Sequence, residues 1–226
     1  MSAQEINISM EHRQNAVSNF DSMIEYVSKI EQGKERTYKK ICTVKTLVDK
    51  SIKWHGIYGR VNIRATLPRV LSEVLQTFKT DPNSKIQQPT DTSLIHFFTK
   101  ADETNYYSAV QQKPFSDFVI WIHNCVKSPV PFVANRDAVA VIAVKQSLNK
   151  CSLTMQSVRA PAYPNHTRSE IKNLNYIVEQ KGDESVLSWF LLCDPGGLVP
   201  AVAYNMVLDS RNDVIVNIKN YIESQE

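Results

Sequence analysis

The stretch from Trp189 to Tyr221 constrains this chain more than any other. An apolar run ends at Asp194-Pro195-Gly196-Gly197, and Pro200 then opens a long amphipathic segment. Proline suits a first helical turn, where its missing N–H removes a donor that has no helical partner anyway. Val199, Val202, Ala203, Met206, Val207, Val214, Ile215, Ile218 and Tyr221 recur at steps of three and four, which predicts one helix over 199–223 with a single apolar face. Asn205, Asp209, Asn212, Asn217 and Asn220 fall mostly on the other side. Such a helix must close over something apolar supplied by the rest of the chain. Arg211 interrupts the stripe, four residues after Val207 and four before Ile215. Either its stem packs and its head reaches water or a carboxylate, or it is a cation placed for an anionic ligand group.

The remainder alternates between helical and strand texture. Met10, Arg13, Val17, Phe20, Ile24, Val27 and Ile30 predict a helix over 9–32 ended by Gly33. From Thr37 to Ile63, β-branched alternation predicts two or three antiparallel strands with a tight turn at 49–51. Leu67, Val70, Leu71, Val74, Leu75 and Phe78 return to helical spacing behind Thr66 as a cap, and 80–93 reads as loop. Residues 94–99 fit a short helix or a strand equally. Strands are expected over 105–111, 117–126, 137–146, 151–158, 174–180 and 185–193, with Lys181-Gly182-Asp183 as a hairpin turn. Two proline loops stand out: 127–135, which carries Val130, Phe132 and Val133, and 160–166 around Tyr163. The fold class is α+β, one domain over 1–226, with helices at both ends of a long antiparallel sheet.

Composition narrows the function classes. No apolar run approaches the ~20 residues of a membrane span, and residues 1–8 lack a charged-then-apolar leader. Cys42, Cys125, Cys151 and Cys193 lie far apart, without metal or redox spacing, as expected of reduced thiols in a cytoplasmic protein. Positive charge concentrates at 34–64, where nine Lys or Arg face only Glu35 and Asp49. That stretch is read as a solvated face, then as a surface for anionic membranes, and only third as a nucleic-acid site, for which no binding motif is present.

Three stretches together resemble the START family of lipid-transfer domains. Ser128-Pro129-Val130-Pro131 with Asn135-Arg136-Asp137 is similar to the loop and Arg-Asp pair that open a central strand there. Gln156-Ser157-Val158 with Pro161 and Pro164 resembles the following strand end and loop, and Cys193 to Pro200, with Asn205, resembles the junction into the last helix. The last match is closest to phosphatidylcholine transfer proteins. The resemblance implies a helix-grip fold, in which a curved antiparallel sheet wraps a C-terminal lid helix around a tunnel for one lipid. It also implies a gate formed by that helix and the 127–135 loop, with Val130, Phe132 and Val133 meeting the membrane. Arg168 matches an arginine of the strand before the last, and Tyr176 to Val178 its apolar tail. Two departures stand out. Lys100-Ala101-Asp102-Glu103-Thr104 replaces an Arg-x-x-Trp-Asp segment that helps hold a choline head, and Ile142 replaces an arginine found in sterol binders.

The resulting expectation is a monomeric cytoplasmic carrier of one lipid, a phospholipid in preference to a sterol, with transient membrane contact, no nucleic acid, no cofactor and no metal; a lipid sensor, or an adaptor that has kept the fold and lost its ligand, is the alternative. Met155, Tyr176, Trp189, Leu191, Val207, Leu208 and Ile215 are the tunnel candidates, each equally readable as plain core. Arg211, and after it Arg168, would hold the phosphate of a phospholipid. Catalysis is not expected. His12, His55, His96, His123 and His166 show no paired or zinc-type spacing, and no Gly-x-Ser-x-Gly elbow or phosphate-binding glycine loop occurs.

Overall fold

The computed structural model describes residues 8–78, 90–127, 134–161 and 163–225. In chain order, helix α1 (Met10–Lys29) is followed by β1 (Glu31–Gln32), β2 (Arg36–Tyr38), β3 (Cys42–Val48) and β4 (Gly56–Ile63). Then come α2 (Leu67–Gln76), β5 (Thr90–Phe97), α3 (Lys100–Val110), β6 (Phe118–Val126), β7 (Asn135–Ser147) and β8 (Lys150–Ser157). β9 (His166–Arg168), β10 (Glu170–Lys181), β11 (Glu184–Asp194), α4 (Ala201–Met206), a 3₁₀ segment (Asp209–Asn212) and α5 (Asp213–Glu223) complete the chain. The strands form one sheet in the order β1-β3-β4-β11-β10-β8-β7-β6-β5, with β2 beside β3 and β9 beside β7. Every pairing is antiparallel except β7 with β9.

Period-two alternation divides the side chains between two faces. Cross-strand register lines up the inner face in rows. One row runs Gly59, Trp189, Tyr176, Leu153, Val144, Phe118, and the next Ile57, Leu191, Leu174, Met155, Ile142, Ile120, Phe97. These rows join one large apolar cluster with α2 (Val70, Leu71, Val74, Leu75), α3 (Tyr106, Ala109), and Leu208, Ile215 and Ile218 near the C-terminus. On the outer face α1 inserts Phe20 among Val119, Val141 and Ala143. Arg13 ties the same helix to Asp102 at the start of α3 through two hydrogen bonds of 2.9 and 3.0 Å.

Several sequence expectations change. Gly33 does not cap α1, because the chain leaves the helix through an extended Ile30 directly into β1. Residues 94–99 largely form an edge strand. The strand expected over 105–111 is helix α3; Thr99 caps it by accepting from the Asp102 N–H at 3.0 Å, and Asp102 and Glu103 suit its positive first turn. The C-terminal helix is not continuous. Ser210 Oγ donates to the Val207 carbonyl at 2.7 Å and Asn212 Nδ2 to the Asp209 carbonyl at 3.2 Å, so side chains compete for the backbone where the helix gives way to 3₁₀.

Candidate functional site

The antiparallel register brings the start of β4 and the ends of β6, β8 and β11 to one rim of the sheet, together with the starts of β7 and β10. Helix α4 lies at this rim. Its Tyr204 packs edge-on against Trp54, with ring centroids 5.1 Å apart, and Asn205 Oδ1 accepts from the His55 N–H at 3.1 Å.

The described parts of the stretches that resemble the START family, Asn135 to Asp137, the end of β8 and Cys193 to Pro200, converge here. Arg136 Nε donates to the Pro195 carbonyl at 2.7 Å, and the same guanidinium reaches the carbonyls of Ala134 and Gly196. Ser169 Oγ donates to Pro195 as well, at 3.2 Å. Gly196 turns with φ +69°, and a Cβ there would strike the Arg168 carbonyl. Asp137 is enclosed next door, accepting from Arg168 Nη2 at 2.6 Å, Arg168 Nε at 3.1 Å and the Tyr163 N–H at 3.0 Å. Burial alone would raise this carboxylate, but these donors, with His123, hold it well below the usual carboxylate range.

His123 Nε2 lies 3.3 Å from Asp137 Oδ2 and 3.7 Å from Cys125 Sγ. Both neighbours meet the same ring nitrogen, so the nucleophile-base-orienter order, which needs one partner on each nitrogen, is not assembled. Among the described residues no group of three His, Cys, Asp or Glu is placed to hold a metal ion.

Of the tunnel candidates, Met155, Tyr176, Trp189 and Leu191 stand together on the inner face, and Leu208 and Ile215 join the same cluster from the C-terminal segment. Tyr176 stacks on Trp189, with centroids 5.8 Å apart. Burial pushes the Tyr176 and Tyr204 phenols upward, so both remain neutral hydroxyls. Val207 is different: it is 48% exposed and lines nothing inside.

Arg211 also departs from the periodicity. It is exposed, with its guanidinium 5.9 Å from the centroid of the Tyr204 ring, and the buried position falls to Asn212. Four 3₁₀ residues turn about 120° each instead of about 100°, which rotates the following positions by roughly 80°. Asn212, assigned from the sequence to the polar side, therefore points inward, where its Oδ1 accepts from Trp189 Nε1 at 2.8 Å. Arg168, the second cation candidate, is committed: besides Asp137 it donates to the carbonyls of Ala160 and Pro161. Val130, Phe132 and Val133 lie outside the described residues.

Sequence reasoning missed Gly59, Trp54 and the 3₁₀ anchor. A Cβ at Gly59 would overlap the Asn212 amide oxygen, so this glycine makes room for the Trp189–Asn212 bond. Asp209 is held by Arg36, and Asp213 by Tyr38 Oη at 2.8 Å and Lys39 Nζ at 2.7 Å.

No family model and no curated protein sequence matches the chain. Solved structures do. Human StAR-related lipid transfer protein 5 is 13% identical and superposes with a TM-score of 0.72, over 96% of this chain and 99% of that one. Human STARD10 is 14% identical with a TM-score of 0.63, over 99% and 85%. A STAR-related lipid transfer protein of Xanthomonas axonopodis, 13% identical, gives 0.65 over 84% and 98%. A long antiparallel sheet closed by a C-terminal helical segment is common to this chain and those structures, and the chain thus has the helix-grip fold of START-type domains.

Proposed function

We propose that the protein carries one lipid beneath α4 and α5, against the apolar rows of the inner face, and exchanges it with membranes at the rim. The observation that carries this reading is the two-sided character of the segment 198–206. Tyr204 is buried against Trp54, while Leu198, Val202 and Met206 are 102, 73 and 80% exposed. Val202 and Met206, four residues apart, share one face of α4 and, with Leu198 in the bend before it, are costly to leave in water unless something apolar receives them. The exposed Lys53 and Arg211 flank these side chains through Trp54 and Tyr204, a pairing suited to a bilayer with anionic head groups. The similar structures from human and Xanthomonas axonopodis are of lipid transfer proteins, which supports the same reading.

A phospholipid cargo would bring a phosphate inside, and the two arginines suggested for it stand elsewhere. Arg211 is assigned instead to the phosphates of the membrane surface. The protein works as a carrier and not as an enzyme, as a monomer in an aqueous compartment, touching membranes transiently. Among the described residues no helix is long and apolar enough to cross one.

The test is direct. Protein purified from cells, examined by native mass spectrometry and lipid extraction, should carry one lipid per monomer and release it to acceptor vesicles. A preparation with neither bound nor exchangeable lipid would favour the adaptor alternative.

A further inference from the structure

Trp54 is 3% exposed and belongs to the apolar cluster of the inner face, yet among the described residues its indole Nε1 has no hydrogen-bond acceptor. A buried Trp N–H ordinarily finds one, because leaving it without a partner forfeits its hydration for nothing. The contrast within the same cluster is sharp: Trp189 Nε1, further into the sheet, is satisfied by Asn212 at 2.8 Å. Trp54 is also fixed in place. It precedes the first residue of β4 at the rim, its ring is wedged against Tyr204 of α4, and the Lys53 ammonium sits 4.4 Å from its centroid. The orphan donor thus lies directly under the helix proposed as the lid.

The charged groups nearby say what kind of acceptor it can meet. Arg136 is spent on the carbonyls of Ala134, Pro195 and Gly196, Arg168 lies against Asp137, and Arg69 pairs with Glu73 at 2.6 Å. Arg211 is exposed. Lys53, over the Trp54 ring, is exposed like Arg211, so among the described residues no buried cation free of a partner stands in the inner rows, and a phosphate or carboxylate taken there would lose its hydration without compensation.

We infer that Trp54 is the specificity-determining donor of the lipid site, and that the cargo it selects is an uncharged lipid carrying an acceptor oxygen, such as an ester, amide or hydroxyl oxygen, at the end held beneath α4. This rests on the carrier reading. It adds to it a residue and a ligand chemistry.

Single-chain probes separate the two. The protein is incubated with phosphatidylcholine vesicles holding methyl oleate, oleate or 1-octadecene, re-isolated, and its bound probe quantified. The ester should be retained about tenfold better than the alkene, equivalent to about 1.4 kcal/mol, and oleate no better than the alkene. Trp54→Phe keeps an aromatic ring against Tyr204 but removes the N–H. It should bring the ester-to-alkene retention ratio down to about one, with an unaltered circular dichroism spectrum reporting an intact fold.

A second readout follows the donor itself. In ¹H–¹⁵N spectra the Trp54 indole proton, identified by its loss in Trp54→Phe, should move downfield with methyl oleate and not with 1-octadecene, while the Trp189 indole serves as the bonded reference. An ester-to-alkene ratio unaffected by Trp54→Phe, an indole proton indifferent to the ester, or preferential uptake of oleate would each overturn the role of Trp54 and leave the carrier reading standing. Uptake of none of the three probes would overturn both.

Discussion

Asp137 shows how much of this architecture hangs on single side chains. Its carboxylate joins β7 to β9 and to the Tyr163 loop, and it stays ionised inside the protein because four donors outweigh the burial that opposes its charge. Its folded pKa is depressed, so the stabilisation is fully present above the unfolded value of about 4 and is lost as pH falls below that value toward the folded one. Asp137→Asn leaves Arg168 with a charge and no counter-ion, which should cost about 3 kcal/mol at neutral pH. Urea denaturation at pH 7 and pH 3 checks both statements: the deficit of the variant should be large at pH 7 and visibly smaller at pH 3. Gly59 is a second such residue. Gly59→Ala forces the Asn212 amide off the Trp189 indole and leaves buried polar atoms unpaired, at a cost of about 2 kcal/mol, which the same denaturation experiment would read as a lowered midpoint.

At the scale of elements, the C-terminal segment divides into an anchored half and a loosely held half. The 3₁₀ stretch and the start of α5 are pinned by Arg36 on Asp209, Trp189 on Asn212, and Tyr38 with Lys39 on Asp213. Helix α4 has six residues, too few to be stable alone, and meets the body chiefly through Tyr204 and Asn205. Amide hydrogen exchange should therefore be markedly faster over 201–207 than over 214–222. Arg36→Ala should quicken exchange across 207–212 while lowering global stability by less than about 1 kcal/mol, since the Arg36–Asp209 pair is partly solvated. A protein that exchanged uniformly from 201 to 222 would be moving its whole C-terminal segment as one lid.

This division is also where the sequence stops being legible. Strand residues alternate strictly, so Met155, Tyr176, Trp189 and Leu191 could be assigned to one face before any fold was known. Helical phase has no such rigidity: one 3₁₀ interruption moved Arg211 outward and Asn212 inward, and Val207 is already exposed where α4 ends. Over 105–111, Tyr106, Tyr107 and Val110 favour a strand by propensity, and the Thr99 cap with tertiary packing decides for α3. The missing acceptor of Trp54 is a property of its surroundings that no spacing encodes.

For the whole molecule, the carrier proposal has two candidate membrane surfaces, the basic stretch and the α4 rim, and the distribution of charge favours the rim. Of the nine basic residues between 34 and 64, five already face carboxylates: Arg36 with Asp209, Lys39 with Asp213, Lys45 with Glu35, Lys50 with Glu31 and Arg64 with Glu223. Four of these acids, Glu31, Asp209, Asp213 and Glu223, lie outside the stretch and offset about half of its apparent excess of positive charge. Lys39 and Lys40 occupy the hairpin turn at the end of β3 away from Trp54, whereas Lys53 and Arg211 flank the apolar face of α4. Each cation near an anionic surface adds about 1 kcal/mol, and burying the Val202 and Met206 side chains adds about 1.5–3 kcal/mol apiece. Apolar contact should therefore dominate, with a modest electrostatic contribution. Val202→Asp with Met206→Asp should abolish binding to vesicles and lipid exchange between them, while thermal stability is preserved because both side chains are already in solvent. Lys53→Glu should weaken binding only to anionic vesicles, and by an amount that salt erases. Lys40→Glu should change neither. If instead Lys40→Glu weakened vesicle binding as much as Lys53→Glu, the basic edge of the sheet and not the α4 rim would be the membrane face.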